Sequence, residues 1–332
     1  MKIIEENGKR VLVTSVLKKG NSIDANKLFN DLKEVDKLDS DNGVAIDRHH
    51  PAQKIINRFS GEYMSPTMLK GFFDSPATQV HQSLMPWIPS AATAIGTTVH
   101  SIFEEFYSLD KDKRDTDILY DLLEKYIKEN DQEAQRKEIK HYVDGFIQTP
   151  DYLDQSKEMD HKNLDCYNEV FMKGEVAPLG IHLPLPIYSL SDRIDFREVD
   201  GELGAYIIDY KTGKWIAKDT PTMNGYLPQA ICYKWMVEDK YGVPVKGAYL
   251  LTPGAKQKIV QLDVNSLKNQ SMYIEEIFRF KKEIQESAKT RIYPWKKPRY
   301  LGSEKQKEFN KLFMTNAPDQ EIKIEYDITL SK

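Results

Sequence analysis

The chain has 332 residues, of which 40% are hydrophobic and 30% are charged. A folded chain of this length buries roughly three quarters of the surface that it exposes when unfolded, so we expect a globular protein and not a disordered one. The apolar runs fall far short of the roughly 20 residues that span a bilayer, and the N-terminus has no apolar signal region. We therefore expect a soluble, cytoplasmic protein without a membrane partner.

Charge and cysteine content narrow the classes of partner and cofactor. The formal net charge is −4, so a nucleic-acid partner would need a local basic surface. The two cysteines, Cys166 and Cys232, cannot by themselves form a four-cysteine zinc site or iron–sulfur cluster. Any metal site must therefore be built from histidine and carboxylate side chains.

The organisation of the chain changes twice along its length. The first sixty residues are polar and weakly periodic, and a basic, proline-containing segment follows the last predicted helix. These shifts predict a polar N-terminal extension over 1–61, a main domain over 62–300 and a C-terminal tail over 301–332.

Apolar residues at helical spacing predict three helices before Pro150. The first begins within residues 90–96, and the second and third carry their apolar stripes over 118–127 and 139–147. We therefore expect a helical layer in the first half of the main domain.

After Pro150 the sequence pattern becomes typical of β-strands, with aromatic and β-branched residues between residues that favour turns. A β-meander is predicted first, with strands near 164–173, 186–197 and 204–211. A helix is then predicted from Pro228 to about Tyr241, because proline suits the first turn of a helix. A strand over 247–252, a turn at 253–254 and a strand over 258–264 are predicted next. A long helix over 266–288 follows them. The resulting order of helix, three strands, helix and strand predicts an α/β fold.

A two-residue turn fixes the geometry of one predicted hairpin. Asp200-Gly201 is a dipeptide favoured at both central positions of a type I′ turn. With that turn, Asp192 and Asp209 face each other across the two strands, and opposed Cβ atoms lie about 4.5–5.5 Å apart. Two carboxylates at this separation repel each other unless they share a proton or a cation. The hairpin therefore favours a divalent metal ion between them.

Strand alternation assigns faces to the charged residues of this hairpin. Asp209 and Lys211 share a face, and Asp195 is predicted to pair with Arg193 or to face solvent. Asp192 is predicted to lie in a row buried on one side, together with Tyr188, Leu190, Ile194 and Phe196. An alternative is an acidic hairpin in which these charges form only a salt bridge with Lys211.

The hairpin resembles the bipartite motif of the PD-(D/E)XK nuclease superfamily, in particular that of its RecB-type exonucleases. The matching strings are Asp192-Arg193-Ile194-Asp195 and Ile208-Asp209-Tyr210-Lys211-Thr212-Gly213. Further motifs match in the same order along the chain, namely Ser65-Pro66 to Ser75-Pro76, Gly96-Thr97-Thr98-Val99-His100, Glu169, and Gln229-Ala230-Ile231-Cys232-Tyr233. Several motifs in the right order are more specific than any one of them.

The resemblance covers residues 62–300 and implies a restriction-endonuclease-like core, with a mixed central sheet flanked by helices. It implies a Mg²⁺- or Mn²⁺-dependent DNA nuclease, more an exonuclease than an endonuclease, that acts at DNA ends in recombination, repair or phage replication. Many relatives also hold an iron–sulfur cluster through four cysteines. This chain has Ser75 at the first of those positions and no cysteine over 290–332, so we expect no cluster.

Catalytic roles follow from the chemistry of phosphodiester hydrolysis and from the resemblance. Asp192 and Asp209 are the predicted metal ligands, since oxygen-rich sites suit Mg²⁺ or Mn²⁺. His100 is the third ligand by resemblance, although a lone histidine on a helix is more often structural. Lys211 is predicted to orient the attacking water or to stabilise the pentacovalent phosphorus. Two roles are open for Glu169, either to complete the metal shell or to pair with a nearby base.

Two other segments are candidates for binding the substrate. Gln229 and Tyr233, four residues apart on one helical face, would contact the DNA backbone or brace Lys211, unless they are plain helix surface. The stretch 279–299 contains eight basic and two acidic residues, interleaved with Phe280, Tyr293 and Trp295. Such a stretch can follow phosphates and stack bases, with Arg291 and Lys296 as phosphate contacts, or it is solvated helix surface.

Two rival functions remain open at this stage. One is a catalytically silent DNA-binding or scaffold subunit, and the other is a nuclease subunit that is active only within a helicase or recombinase complex. The intact set of Asp192, Asp209 and Lys211 argues against the first rival, because a silent protein has no need of repelling carboxylates. The extension over 1–61 leaves room for a protein partner, such as a helicase, a recombinase or a single-strand-binding protein.

Overall fold

The computed structural model describes residues 2–6, 9–14, 63–76, 79, 91–213, 221–290, 292–295 and 320–324. The chain divides into two compact units. One consists of Met1–Ile88 with Glu276–Lys332, and the other of Pro89–Glu275.

The unit Pro89–Glu275 contains helices on both faces of a mixed sheet. Its helices are α2 (Ala91–Ser108), α3 (Thr116–Glu129), α4 (Arg136–Ile147) and α5 (Pro221–Tyr241). Its strands are β3 (Asp165–Gly174), β4 (Ile187–Val199), β5 (Glu202–Tyr210), β6 (Val245–Leu251) and β7 (Ile259–Leu262). Helix α6 (Leu267–Thr290) begins in this unit and ends in the other one.

The sheet of this unit has five strands in the order β3-β4-β5-β6-β7. Strands β3, β4 and β5 form an antiparallel meander, β5 pairs with β6 in parallel, and β6 pairs with β7 antiparallel. The predicted α/β class, the mixed sheet flanked by helices and the predicted order of elements are thereby confirmed. The architecture is that of a restriction-endonuclease-like core.

The first helical layer packs its apolar stripe against one face of the sheet. In α2, the side chains of Val99, Ile102 and Phe103 are fully buried, and they join a core that includes Ile208 and Tyr210 of β5. Burying one such side chain contributes roughly 1.5–3 kcal/mol. The helical periodicity of the sequence therefore reports a real packing face.

Helices α2 and α5 cover opposite faces of the sheet. The Arg193 guanidinium lies 4.4 Å from the ring centroid of Tyr107 in α2. Phe196, three residues further along β4, contacts the ring of Tyr241 at the end of α5. Residues an odd number apart on a regular strand point to opposite sides, so the meander is a layer between the two helices.

The predicted start of helix α5 is wrong. The sequence pattern placed Pro228 in the first turn, whereas the helix begins at Pro221 and contains Pro228 in its interior. Pro221 itself provides the first-turn proline, where the missing N–H costs nothing. The sequence contains two prolines that suit a helix start, and the earlier one is used.

The unit Met1–Ile88 with Glu276–Lys332 contains its own sheet. Helix α1 (Pro66–Asp74) is capped by Ser65, whose hydroxyl accepts a 3.2 Å hydrogen bond from the Met68 N–H. The sheet has the order β1-β2-β9-β8. Its strands are β1 (Lys2–Glu6), β2 (Lys9–Thr14), β8 (Ile292–Trp295) and β9 (Gln320–Ile324).

One residue of the predicted basic DNA-binding stretch has a structural role. Phe280 is fully buried, and its ring lies 5.2 Å from that of Phe72, edge to face. The prediction that Phe280 stacks on bases is therefore wrong, because an aromatic ring at this spacing belongs to the apolar stripe of α6. Arg291 and Lys296, the predicted phosphate contacts, lie outside the described residues.

Within the described part of the chain, no helix is both long and apolar enough to cross a membrane.

Candidate active site

The predicted hairpin register is confirmed up to the point where β4 and β5 separate. Both turn residues have positive φ, 55° at Asp200 and 77° at Gly201, as a type I′ turn requires. The ladder runs from Val199 opposite Glu202 to Arg193 opposite Ile208, where it ends. The next two residues, Asp192 and Asp209, are not a ladder pair.

Asp192 instead binds the backbone beside the end of the ladder. Its Oδ2 accepts a 2.7 Å hydrogen bond from the N–H of Tyr210. In the earlier part of β4, residues Ile187 to Ser191 pair with β3. Asp192 therefore lies at the opening of the sheet, where β4 and β5 separate. At this position its carboxylate can make contacts besides the one to Tyr210.

A left-handed residue reverses the side-chain pattern of β3. Tyr167 stacks on Tyr241 of α5, and a Cβ built on Gly174 would lie 3.8 Å from Met236 of the same helix. Strict alternation would place positions 167 and 174 on opposite sides, so the pattern reverses between them. Glu169 lies in this interval and has a φ of 43°. We attribute the reversal to this residue.

The same reversal occurs in β4. The Oδ2 atom of Asp192 lies 3.5 Å from Nδ1 of His100, while the neighbouring Arg193 lies over Tyr107. Both contacts are with α2, so two consecutive residues point to one side. The predicted buried row that includes Asp192 is therefore correct only at Ile194, which is fully buried, and wrong at Leu190, which is 46% exposed. The buried residues of this part of the strand are Ser189, Ser191, Arg193, Ile194 and Asp195.

Three of the predicted site residues come together at the opening of the sheet. Ligand atoms of His100, Glu169 and Asp192 all lie within 4.8 Å of one another, and each residue is half-buried. An imidazole nitrogen and two carboxylates are donors that suit Mn²⁺ and, with more water in the shell, Mg²⁺. The cluster differs from the predicted ligand set of His100, Asp192 and Asp209, since Glu169 takes part and Asp209 lies beside it.

Asp209 and Lys211 form an ion pair next to this cluster. Burial raises the pKa of Asp209 to about 6, with Lys211 opposing the rise and Asp192 adding to it. Burial works to lower the pKa of Lys211, but the charges of Asp209 and Asp192 outweigh it and raise that pKa. Lys211 is therefore a protonated cation held among carboxylates.

A family model of the PD-(D/E)XK nuclease superfamily matches residues 63–307 of the chain. The chain belongs to this superfamily. The fold brings together Asp192, Glu169 and His100, with Asp209 and Lys211 beside them.

The chain is also similar to two solved structures. One is the crystal structure of a "putative exonuclease" from Eubacterium rectale, with 16% identity, a TM-score of 0.43, and coverage of 74% of this chain and 88% of that one. The other is the crystal structure of the protein SSO0001, with 14% identity, a TM-score of 0.27, and coverage of 66% and 87%. No curated protein matches this chain significantly.

An open groove of about 650 Å³ gives access to this cluster. Its lining includes Gly96, His100, Glu104, Glu169, Leu190, Asp192 and Thr212. A Cβ at Gly96 would lie 3.1 Å from Oγ1 of Thr212. Glycine at this motif position therefore lets α2 approach the segment that follows β5.

Tyr226 is a site residue that the sequence analysis missed. Its ring centroid lies 4.9 Å from Nζ of Lys211, which is within the range of a cation–π contact. The predicted start of the helix at Pro228 excluded Tyr226 from the helix. With the helix extended to Pro221, Tyr226 lies three residues before Gln229, and this spacing places both on one helical face.

Gln229 and Tyr233 bond to each other on the α5 side of the site. Nε2 of Gln229 donates a 2.5 Å hydrogen bond to the hydroxyl oxygen of Tyr233. Burial raises the pKa of Tyr233, and the charges of Asp209 and Asp192 raise it further. Both predicted roles of Gln229 and Tyr233 stay predictions, and Tyr226 is the residue of this helix that contacts Lys211.

Asp195 is part of a buried network beneath the strand opening. Oδ1 of Asp195 lies 2.8 Å from Nε of Arg193, and both side chains are fully buried. Tyr152 donates a 2.8 Å hydrogen bond to Oδ2 of Asp195, and Arg193 donates one of 2.8 Å to the hydroxyl of Tyr210. The predicted pairing of Asp195 with Arg193 is confirmed, whereas its alternative, exposure to solvent, is wrong.

The raised pKa of Glu169 predicts how the stability of the metal-free protein depends on pH. Burial, and then the charges of Asp192, Glu104 and Asp209, raise the pKa of Glu169 from 4.5 to about 7. The folded state thus binds this proton more tightly than the unfolded state does. In EDTA, the contribution of Glu169 to the free energy of unfolding should be greatest below about pH 4.5. It should fall as the pH rises towards about 7.

We expect Glu169→Gln to reduce that fall, with urea unfolding across this pH range as the measurement. Glu202→Gln is the matched control, because Lys246 lowers the pKa of the exposed Glu202 through a hydrogen bond. The control should leave the fall unchanged or make it steeper. An equal effect of both variants would contradict the assignment of the fall to Glu169.

Proposed function

We propose that this chain is a divalent-metal-dependent DNA nuclease of the RecB-like type, acting as an exonuclease at DNA ends in recombination, repair or phage replication. The observation that carries the proposal is the cluster of His100, Glu169 and Asp192 beside the Asp209–Lys211 pair. The RecB-like subtype is supported by the Asp192-Arg193-Ile194-Asp195 string and by the string that begins at Ile208.

The donor set fits a hard divalent cation, Mg²⁺ or Mn²⁺. Burial raises the pKa values of Glu169 and Asp209, and the charge of Asp192 adds to both rises, so a bound cation would be favourable here. His100, Glu169 and Asp192 would hold the ion, with Asp209 as a further acid at its side. When bound, such an ion polarises the phosphate and lowers the pKa of water. No iron–sulfur cluster is part of the proposal.

The other residues of the site act on water and phosphate through charge and hydrogen bonds. Lys211 stays protonated and can donate to a phosphoryl oxygen or orient the attacking water, while Asp209 and Tyr226 fix its position. Such a preorganised donor stabilises charge that develops in the transition state. Gln229 and Tyr233 are proposed contacts for the substrate backbone, as are Arg291 and Lys296.

Incubation of the pure protein with end-labelled linear DNA and with closed circular DNA tests this proposal. We expect degradation of the linear DNA with Mg²⁺ or Mn²⁺, no degradation in EDTA, and little attack on the circles. Full activity in EDTA would contradict the metal site. Efficient cutting of closed circles would change the assignment from exonuclease to endonuclease.

A further inference from the structure

Beyond the strand opening, β3 and β4 continue as a two-stranded ribbon. Two cross-strand pairs, Phe171 with Leu190 and Lys173 with Tyr188, lie side by side on it. Phe171 is 58% exposed and Leu190 is 46% exposed. Directly opposed residues point to the same face of a sheet, so the two pairs form one surface, called here the ribbon face.

The ribbon face is continuous with the nuclease groove. Leu190 lines the groove together with His100, Glu169 and Asp192. Glu169 lies two residues before Phe171 on β3, and Asp192 lies two residues after Leu190 on β4. Along both strands, the ribbon face is therefore next to the cluster. A ligand that leaves the cluster in this direction therefore meets the ribbon face first.

The chemistry of the ribbon face combines aromatic rings with a cation. The rings of Phe171 and Tyr188 have their centroids 6.2 Å apart, and Nζ of Lys173 lies 4.9 Å from the Tyr188 ring centroid. The exposed ring of Phe171 offers a stacking surface to a base, and a neighbouring lysine attracts the phosphates. A duplex stacks its bases internally, so an unpaired strand is the form of DNA that can use such a surface.

We propose that the ribbon face, formed by Phe171, Lys173, Tyr188 and Leu190, binds the unpaired bases of a single-stranded DNA end beside the metal cluster. This inference rests on the proposed nuclease function, which supplies the reason for DNA to lie in the groove. The acids of the cluster repel phosphate, so contacts to the bases help to hold the strand there. The site is thereby assigned to single-stranded ends.

Binding of two fluorescent oligonucleotides, measured by anisotropy in EDTA, tests the inference without cleavage. One is an oligothymidylate, and the other is an abasic strand of the same length and charge. The wild-type protein should prefer the oligothymidylate. Phe171→Ala should weaken that binding by about fivefold or more, since stacking on one ring contributes this much per base, and should leave binding of the abasic strand unchanged.

Tyr167→Ala is the matched control. Tyr167 is an aromatic residue of the same strand with 55% exposure, but it stacks on Tyr241 on the other side of the sheet. We expect this variant to bind both strands as the wild type does. Lys173→Gln should weaken binding of both strands and lower the salt dependence by about 0.7 in slope.

The inference is overturned if the wild type binds both strands equally or binds neither, or if Phe171→Ala and Tyr167→Ala have equal effects. Unchanged binding by Phe171→Ala also overturns it and points to a protein partner for the ribbon face. Because the assay contains no metal ion, its result is independent of cleavage. Absence of metal-dependent cleavage would instead contradict the proposed function.

Discussion

Replacing Asp192 with asparagine is expected to lower single-turnover DNA cleavage by about a thousandfold, while the fold stays intact. Asparagine keeps an oxygen that can accept the hydrogen bond from the Tyr210 N–H. It removes one charge from the cluster with His100 and Glu169. Electrostatic stabilisation by a bound metal ion contributes several kcal/mol to a transition state, and each 1.36 kcal/mol corresponds to about a factor of ten.

Two measurements separate this loss from a loss of folding. Calorimetric titration with Mn²⁺ should show weaker binding to Asp192→Asn, whereas circular dichroism and thermal unfolding should stay close to the wild type. Glu202→Gln serves as the control, because Glu202 is an exposed acid of the same hairpin that pairs with Lys246. If both variants cleave at the wild-type rate, Asp192 does not belong to the catalytic machinery.

Part of this site was predictable because a two-residue turn determines which residues are opposed along the whole hairpin. The Asp200-Gly201 turn alone fixes which residues of β4 and β5 are opposed, and the structure confirms that register up to Arg193. The motif residues His100, Glu169 and Asp192 also lie on the predicted helix and strands. Turn chemistry and periodicity act over a few residues, so a sequence can report them.

The orientation of Asp192 was not predictable in this way. Alternation assumes a regular strand, and the left-handed φ of Glu169 breaks that assumption in the middle of β3. Glycine or asparagine would have signalled such a position, whereas glutamate rarely adopts it. Backbone strain of this kind persists where the surrounding structure enforces it, and here it lies at the candidate metal cluster.

The sequence also did not reveal the burial of Asp195. The sequence predicted that this acid pairs with Arg193 or faces solvent. It is fully buried with Arg193, and both contact aromatic residues of the core, Tyr152 and Tyr210. A sequence does not show how deeply a strand face is covered, because that depends on helices α2 to α4 packing over it.

Asp195→Asn is therefore expected to destabilise the protein by about 3–5 kcal/mol, because it leaves the Arg193 charge buried without its partner. That loss is a large fraction of the roughly 5–15 kcal/mol by which a folded domain is stable. Urea unfolding in EDTA measures it. The exposed pair of Glu202 and Lys246 is the control, and Glu202→Gln should change stability by about 0–1 kcal/mol at most.

A double variant distinguishes loss of a buried charge partner from loss of packing. Arg193→Met combined with Asp195→Leu removes both charges, and replacing a whole buried ion pair with apolar side chains is often neutral or stabilising. We expect the double variant to be more stable than Asp195→Asn alone. A double variant that is less stable than the single one would show that the network contributes through its hydrogen bonds to Tyr152 and Tyr210. In the expected case, the double variant loses the hydrogen bond from Arg193 to the Tyr210 hydroxyl without losing stability, and cleavage should still fall because Tyr210 also donates its N–H to Asp192.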